Sequence, residues 1–192
     1  MSSLVNFRQW HGPSDQCENA TGEVIEKYKG VLPNALLDEW RDYGWCAYAN
    51  GNLWLVNPDD YADALQEWLP DWCHGEDLPV VFARGPFGEL LVSYQDVVGQ
   101  LNVHHGRYIE IGADVETFLE FSLDKGYVAE ALVASLAKRV RKRIGALASD
   151  EMYTFVPALA LGGTHSASSA EKVKILPQLS ILSQLFDEVS IE

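Results

Sequence analysis

The chain has 192 residues, of which 47% are hydrophobic and 22% are charged, a balance typical of a folded globular protein. Its net charge of −14 disfavours nucleic acids and anionic membranes as main ligands, because both carry negative charge themselves. No segment approaches the roughly 18 consecutive apolar residues of a membrane helix, and residues 1–11 lack the features of a secretory signal. These observations favour a globular, cytoplasmic protein whose natural partner is a basic protein.

Acidic and aromatic residues concentrate in the first half of the chain. Residues 1–105 contain five Lys and Arg against sixteen Asp and Glu, and all six tryptophans lie before residue 73. Opposite charge accelerates association with a basic partner, and buried aromatic side chains supply much of the binding energy at interfaces. The alternative is that the tryptophans belong to the core and that the acidic residues serve solubility.

The three cysteines, Cys17, Cys46 and Cys73, are odd in number and irregularly spaced. A disulfide framework in a small secreted protein has paired cysteines at regular spacings. We therefore predict reduced thiols, as is usual for a cytoplasmic protein.

The first well-marked element is a helix over residues 33–44. Pro33 suits the first helical position, and Gly44 suits the position just after the helix. Apolar residues at helical spacing should face the core, and charged residues should face solvent. The predicted inner residues are Leu32, Leu36, Leu37, Trp40 and Tyr43. The predicted outer residues are Asp38, Arg41 and Asp42.

Three β-hairpins are predicted between residues 45 and 111. The strongest signal is Asn50-Gly51, which lies between two aromatic segments with high strand propensity. The paired segments are residues 45–48 with 52–56, 79–84 with 89–94, and 101–104 with 107–111. Antiparallel strands with helices before and within them indicate an α+β fold rather than alternating strands and helices.

A second helix should begin in Asn57-Pro58-Asp59-Asp60, where Asn57 caps the helix and Pro58 occupies its first turn. Its inner side is apolar, and its outer side is acidic and continues into the following loop. The predicted inner residues are Tyr61, Leu65, Trp68 and Leu69. The predicted outer and loop residues are Asp59, Asp63, Gln66, Glu67, Asp71, Glu76 and Asp77.

From about residue 114 the pattern is mainly helical. The predicted helices span residues 115–123, 127–144 and 179–189. We place a boundary within residues 105–113. It divides the chain into an α+β domain with an antiparallel sheet and flanking helices (1–108) and a mainly helical C-terminal domain (109–192).

No group of residues forms a convincing catalytic constellation. Cys73 and His74 are adjacent, and adjacent side chains rarely converge on one substrate atom. His104 and His105 lack Cys, Asp or Glu at metal-ligand spacing, which favours solvated or hydrogen-bonded histidines near a turn. We therefore expect no catalytic residue, no metal and no cofactor. A hydrolase that uses Cys73 or His104 stays as an alternative.

One basic run, residues 138–143, ends the long predicted helix. Cations at a helix C-terminus stabilise the negative end of the helix dipole. A solvated helix end, or docking onto the acidic first half, is therefore favoured over contact with nucleic acid.

Two pairs of segments resemble known domains. Residues 32–45 (Leu-Pro-Asn-Ala-Leu-Leu-Asp-Glu-Trp-Arg-Asp-Tyr-Gly-Trp) and residues 51–58 resemble the GAD-like domain. Residues 152–163 (Met-Tyr-Thr-Phe-Val-Pro-Ala-Leu-Ala-Leu-Gly-Gly) and residues 172–185 resemble the C-terminal domain that accompanies it. Both domains occur in immunity proteins that protect bacteria from their own type VI secretion nuclease effectors. The first domain also has a weaker likeness to SMI1/KNR4-like immunity folds.

The resemblance implies a cytoplasmic antitoxin without catalytic activity, which binds and blocks a cognate effector toxin, a basic DNase. A nuclease carries a basic face for DNA, and an acidic protein competes for that face as a phosphate mimic. An adaptor or chaperone for a secreted protein is a further alternative.

Charge and exposure pattern, rather than the resemblance, indicate where such a toxin would bind. We predict contacts on the second helix and its loop, with the first helix as second choice. The first set is Asp59, Asp63, Glu67, Asp71, Trp72, Glu76 and Asp77. The second set is Asp38 and Asp42.

Overall fold

A computed structural model, which describes residues 4–12 and 15–192, is built around one large sheet and a small two-stranded sheet. The strands are β1 (Asp15–Glu18), β2 (Trp45–Tyr48), β3 (Leu53–Leu55), β4 (Val80–Arg84), β5 (Leu90–Tyr94), β6 (Val97–Asn102), β7 (Arg107–Glu110), β8 (Glu151–Phe155), β9 (Ala170–Lys174) and β10 (Ser190–Ile191). The large sheet has eight strands in the order β1 to β7 and then β10. All its neighbours are antiparallel except β7 and β10, which are parallel. The predicted α+β class is confirmed, although the sheet is mixed.

Eight α-helices and several short helical turns connect these strands within the described residues. The α-helices are α1 (Val5–His11), α2 (Gly22–Lys27), α3 (Asn34–Tyr43), α4 (Ala62–Trp68), α5 (Val115–Thr117), α6 (Lys125–Glu130), α7 (Ala134–Ile144) and α8 (Ile175–Ser183). The 3-10 turns are Pro58–Tyr61, Pro70–Trp72 and Leu159–Leu161, and a π-helical turn spans Phe118–Ser122. No helix in the described part of the chain is long and apolar enough to cross a membrane.

All three predicted hairpins are present. Asn50 and Gly51 both have positive φ, at 57° and 71°, as the tight turn between β2 and β3 requires. The β4–β5 pair also matches the prediction, and the β6–β7 pair is present, although β6 ends at Asn102 and the predicted strand residues 103–104 lie in the turn. β5 also pairs with β6, where Gln95 and Asp96 turn with φ of 50° and 61°, without the glycine that usually marks such a turn.

The predicted first helix is confirmed as α3, flanked by Pro33 and by Gly44 with φ of 87°. Leu36, Leu37 and Trp40 are buried as expected. Tyr43 is 43% exposed, so its predicted place in the core is wrong.

The prediction of reduced cysteines is also wrong, because Cys17 and Cys46 form a disulfide. The register of β1 against β2 places the two residues opposite each other, with their Cα atoms 4.1 Å apart. A pairing between strands 29 residues apart leaves no signal in cysteine spacing alone. Cys73 is a free, half-buried thiol.

The second half is less helical than predicted. β8 and β9 form an antiparallel hairpin, and β10 joins the large sheet beside β7. The helix predicted over 127–144 is broken at Val133, whose φ of 49° interrupts it between α6 and α7. The predicted final helix instead begins at Ile175 and ends at Ser183.

Both faces of the large sheet are buried, each under its own hydrophobic core. One core packs α1, α2, α3, α5 and α6 on the sheet, and the other packs α4, α7, α8 and the β8–β9 hairpin. β4 is buried along its whole length, since Val81 faces one core and Phe82 the other. Because residues beyond 108 contribute to both cores, the two halves of the chain share their interior.

Candidate protein-binding surface

The second predicted helix exists and presents its acidic side to solvent. The Asn57 side chain accepts a hydrogen bond from the Asp59 backbone N–H at 3.2 Å, and Pro58 follows it as expected. The 3-10 turn that they begin continues into α4. Its inner side is buried at Tyr61, Leu65, Trp68 and Leu69. Its outer side is exposed at Asp59, Asp63, Gln66 and Glu67.

Helix α8 packs beside α4, and two hydrogen bonds fix the pair. The indole N–H of Trp68 donates to the Leu179 carbonyl at 3.1 Å, and the Ser183 hydroxyl donates to Glu67 at 3.2 Å. α8 leaves Leu176 41% and Ile181 56% exposed. α4 therefore exposes acidic side chains, and the neighbouring α8 exposes apolar ones.

A groove of about 370 Å³ lies where α4 and α8 end. Four carboxylates line it, and its apolar lining includes Phe186 and Val189. The carboxylates are Glu67, Asp71, Asp187 and Glu188. None of the described residues that line the groove is Lys or Arg. Asp187 and Glu188 were not predicted as part of this surface. Their segment was expected to be helical, and it reaches α4 only through a tertiary contact.

Asp59 differs from its neighbours because its charge already has partners. Its carboxylate lies 2.5 Å from the Lys27 ammonium and accepts a hydrogen bond from the Tyr28 hydroxyl at 2.7 Å. Partial burial raises the pKa of this carboxyl, but the bonds from Lys27 and Tyr28 outweigh it and hold the pKa below its usual value. Asp59 is thus partly neutralised within the protein.

Trp72 is half-buried and packed against the sheet. Its ring stacks on Tyr94 with centroids 4.7 Å apart, and it meets the edge of Tyr108 at the same distance. Asp71, Glu76 and Asp77 are exposed around it.

The second-choice residues lie elsewhere. Asp38 and Asp42 are on α3, whose buried side packs in the core on the opposite face of the sheet from α4. Asp38 forms an ion pair with Arg41, while Asp42 is exposed. The structure does not bring the two predicted sets together.

The residues considered for catalysis have unsuitable surroundings. Burial raises the pKa of the Cys73 thiol, which is the reverse of an activated nucleophile. His104 is buried rather than solvated, and its ring lies 5.0 Å from that of Phe155. Burial lowers its pKa to about 4. Among the described residues, no group of three His, Cys, Asp or Glu side chains could hold a metal ion.

The basic run divides between contact and solvent. Arg141 donates to the Asn52 side chain at 3.3 Å, across the two halves of the chain, and Arg143 donates to the Ala170 carbonyl. Lys138, Arg139 and Lys142 are exposed. Arg141 thus docks onto the first half of the chain, Arg143 bonds within the second half, and the other three cations are solvated.

Comparison with known proteins gives both a family and a related fold. Residues 3–106 match the GAD-like domain, and residues 113–186 match the C-terminal domain of the type VI secretion immunity protein Tdi1. No curated protein matches the chain. The crystal structure of Atu4351 from Agrobacterium tumefaciens is similar in fold, with a TM-score of 0.72 and 19% identity over 96% of this chain and 89% of that chain. The chain belongs to the GAD-like family and, by its second domain, to the type VI secretion immunity proteins.

Proposed function

We propose that this immunity protein neutralises a nuclease effector by binding it through the side of the molecule formed by α4 and α8. We call this side the acidic surface. It comprises Asp63, Glu67, Asp71, Glu76, Asp77, Asp187 and Glu188. The observation that carries the proposal is the groove at the ends of α4 and α8, which four carboxylates line and to which no described residue contributes a positive charge.

A nuclease is the class of effector that best matches these charges. A protein that binds the phosphate backbone presents Lys and Arg on one face, and carboxylates of an inhibitor satisfy the same side chains. The approach of the two proteins is also accelerated by their opposite charges. Occupation of the basic face would exclude DNA without any chemical step by the immunity protein.

Apolar anchors beside the carboxylates support a stable complex rather than a transient encounter. Leu176 and Ile181 are exposed on α8, the helix that packs beside α4. Interfaces combine a desolvated apolar centre with a polar rim, and long-range charge attraction contributes more to association rate than to affinity. This differs from the prediction that Trp72 anchors the partner, because Trp72 already stacks on Tyr94.

Binding without catalysis is the mode of action that we favour. The pKa of Cys73 is raised by burial, and His104 lies in an aromatic core. A hydrolase that uses either residue would need an ionised thiol or an accessible imidazole.

The test reverses three charges of the acidic surface. We expect Asp63→Lys, Glu67→Lys and Asp71→Lys together to weaken binding to the purified cognate effector about 100-fold or more, since unpaired like charges would then meet. The measurements are the Kd by calorimetry and the inhibition of DNA cleavage by the effector.

A matched control reverses three exposed carboxylates on the other side of the sheet, Glu23, Glu116 and Glu130. It changes the net charge equally and should retain inhibition at physiological salt. If both triple variants bind with unchanged affinity, the acidic surface is not the interface, and Asp38→Lys with Asp42→Lys then tests α3. An effector that binds but does not cleave DNA would contradict the nuclease assignment alone.

A further inference from the structure

A second cavity, of about 350 Å³, lies at the other ends of α4 and α8. The 3-10 turn before α4 contributes Asp60 and Tyr61, and the start of α8 contributes Ile175 and Pro177. The floor comes from β2 and β3 through Trp45 and Trp54. The cavity therefore lies between the two halves of the chain, and its volume is within the range of about 300–1,000 Å³ found for ligand sites.

Negative charge in this cavity is only partly compensated. Glu18, Asp60 and Asp150 all line it, and Lys174 pairs with Asp150 at 2.5 Å. No ion pair involves Glu18 or Asp60 within the described ranges. Partial burial and the neighbouring charges of Asp59 and Glu18 raise the pKa of Asp60, as expected where carboxylates crowd without a cation.

The aromatic lining suits a flat cation. The rings of Trp45, Trp54 and Tyr61 line the cavity. The guanidinium of Arg84 lies 4.6 Å from the ring centroid of Trp54 and occupies that ring, so Trp45 is the indole left for a second cation. Aromatic faces attract cations, and arginine stacks on them better than lysine because its guanidinium is planar and weakly hydrated.

We propose that this cavity receives an arginine side chain of the effector. The side-chain stem would contact Tyr61 and Ile175, and its N–H groups would donate to Glu18 and Asp60. Carboxylates bind the planar guanidinium through paired hydrogen bonds, which gives both strength and orientation. The inference rests on the proposed function, and it adds a second point at which the effector would be held.

The position of the cavity favours a side chain of the same effector over an unrelated ligand. The helical segment from Pro58 to Trp68 joins this cavity to the groove at Glu67. At 1.5 Å per residue the segment is about 15 Å long, well within the width of one protein interface. A partner seated on the acidic surface would therefore cover both openings.

The test removes the two free charges without changing side-chain size. We expect Glu18→Gln with Asp60→Asn to weaken binding to the effector at least 10-fold by calorimetry. The matched control, Asp150→Asn with Lys174→Met, removes the internal ion pair of the same cavity at constant net charge and should change the Kd less than twofold. An unchanged Kd in the Glu18/Asp60 variant would overturn the proposal.

A second measurement uses arginine methyl ester as the probe and citrulline methyl ester, whose side chain is neutral, as its counterpart. Because Trp45 and Trp54 line the cavity, the arginine ester should change the tryptophan fluorescence saturably in the wild type and not in the Glu18/Asp60 variant. The citrulline ester should have no effect. Equal responses to both esters would contradict a site that recognises the guanidinium.

The two proposals can fail separately. If the effector binds the wild type and the Glu18/Asp60 variant equally, only the arginine site is rejected. If no effector binds the wild type, the proposed function is rejected, and so is the effector arginine as the occupant of the cavity. A saturable response to the arginine ester would then identify a site for small guanidinium compounds instead.

Discussion

Charged residues have opposite roles in two regions of the molecule. One region is the buried seam between the two halves of the chain, and the other is the acidic surface. In the seam, where α7, α8 and β8 cover the sheet, Arg84 is fully buried. Its guanidinium donates to the Ser149 carbonyl at 2.8 Å and to the Gly85 carbonyl at 3.3 Å. On the acidic surface, Asp63 and Asp187 are exposed to solvent. The buried charge of the seam thus bonds within the chain and holds its two halves together. The exposed charges of the acidic surface are available to another molecule.

This contrast predicts that the two regions respond differently to substitution. Changes in the seam should lower stability, and any loss of binding should follow from unfolding. Changes on the surface should lower affinity and leave stability almost unchanged.

Truncation of Trp68 should have the largest effect, because this residue lies under the acidic surface but belongs to the seam. It is buried, and its N–H bonds to Leu179 across the two halves. We expect Trp68→Ala to lower the free energy of unfolding by about 3–5 kcal/mol through the cavity it creates. Urea unfolding measures it, with Trp68→Phe as the milder control. A loss below about 1 kcal/mol would show that α4 is only loosely packed.

The disulfide at the sheet edge should have the next largest effect. Cys17 and Cys46 close a loop of 29 residues, and such a loop restricts the unfolded chain. We expect Cys17→Ser to cost about 3 kcal/mol, as does reduction of the wild type by dithiothreitol. Cys73→Ser should change stability little. An identical unfolding midpoint with and without reductant would contradict a stabilising disulfide.

Two buried groups of the seam should give opposite dependences on pH. Burial raises the pKa of Glu89 to about 7, although its hydrogen bond from the Phe87 N–H and the charge of Arg84 oppose the rise. The folded state therefore binds the extra proton between about pH 4.5 and 7, and stability falls as pH rises through that window. For His104 the pKa is lowered to about 4, so its contribution to stability rises with pH between about 4 and 6.5.

Single substitutions should separate these contributions. Between pH 4.5 and 7 we expect Glu89→Gln to gain stability relative to wild type as pH rises, by on the order of 2–3 kcal/mol. His104→Phe should lose relative stability over the window from pH 4 to 6.5. Urea unfolding at several pH values measures both differences. Parallel profiles for wild type and Glu89→Gln would show that Glu89 is already ionised in the folded protein.

Neutralisation of surface carboxylates should have the smallest effect on stability. Asp63→Asn with Glu67→Gln removes two exposed charges and should change the free energy of unfolding by less than about 0.5 kcal/mol. The same variant should bind the effector more weakly than the wild type does, and the difference in Kd should be larger at low salt. A large drop in thermal stability would place these residues with the seam rather than the surface.

The elements predicted correctly from sequence are those with local signals. Pro33 and Gly44 delimit α3, Asn50-Gly51 marks the first hairpin, and Asn57-Pro58 starts the turn before α4. In each case the residue type determines the backbone conformation within a few positions.

The features missed depend on contacts between distant segments. The disulfide requires β1 to pair with β2, and the break at Val133 follows no glycine or proline. Asp187 and Glu188 join the groove only because the segment after α8 returns to α4. Asp59 was predicted as a free charge, but Lys27 lies beside it from α2. The acidic character of the surface was therefore predictable, and its exact membership was not.

The parallel pairing of β10 with β7 bears on the order of folding during synthesis. Ser190 and Ile191 lie opposite Arg107 and Tyr108, more than 80 residues earlier in the chain. Contacts between such distant segments form late and slow the folding of a domain. While residues 109–189 are being translated, the outer edge of β7 has unpaired backbone groups, which can pair with strands of other chains. A cell that must be protected from its own toxin thus depends on a sheet that is completed only when residues 190–191 leave the ribosome.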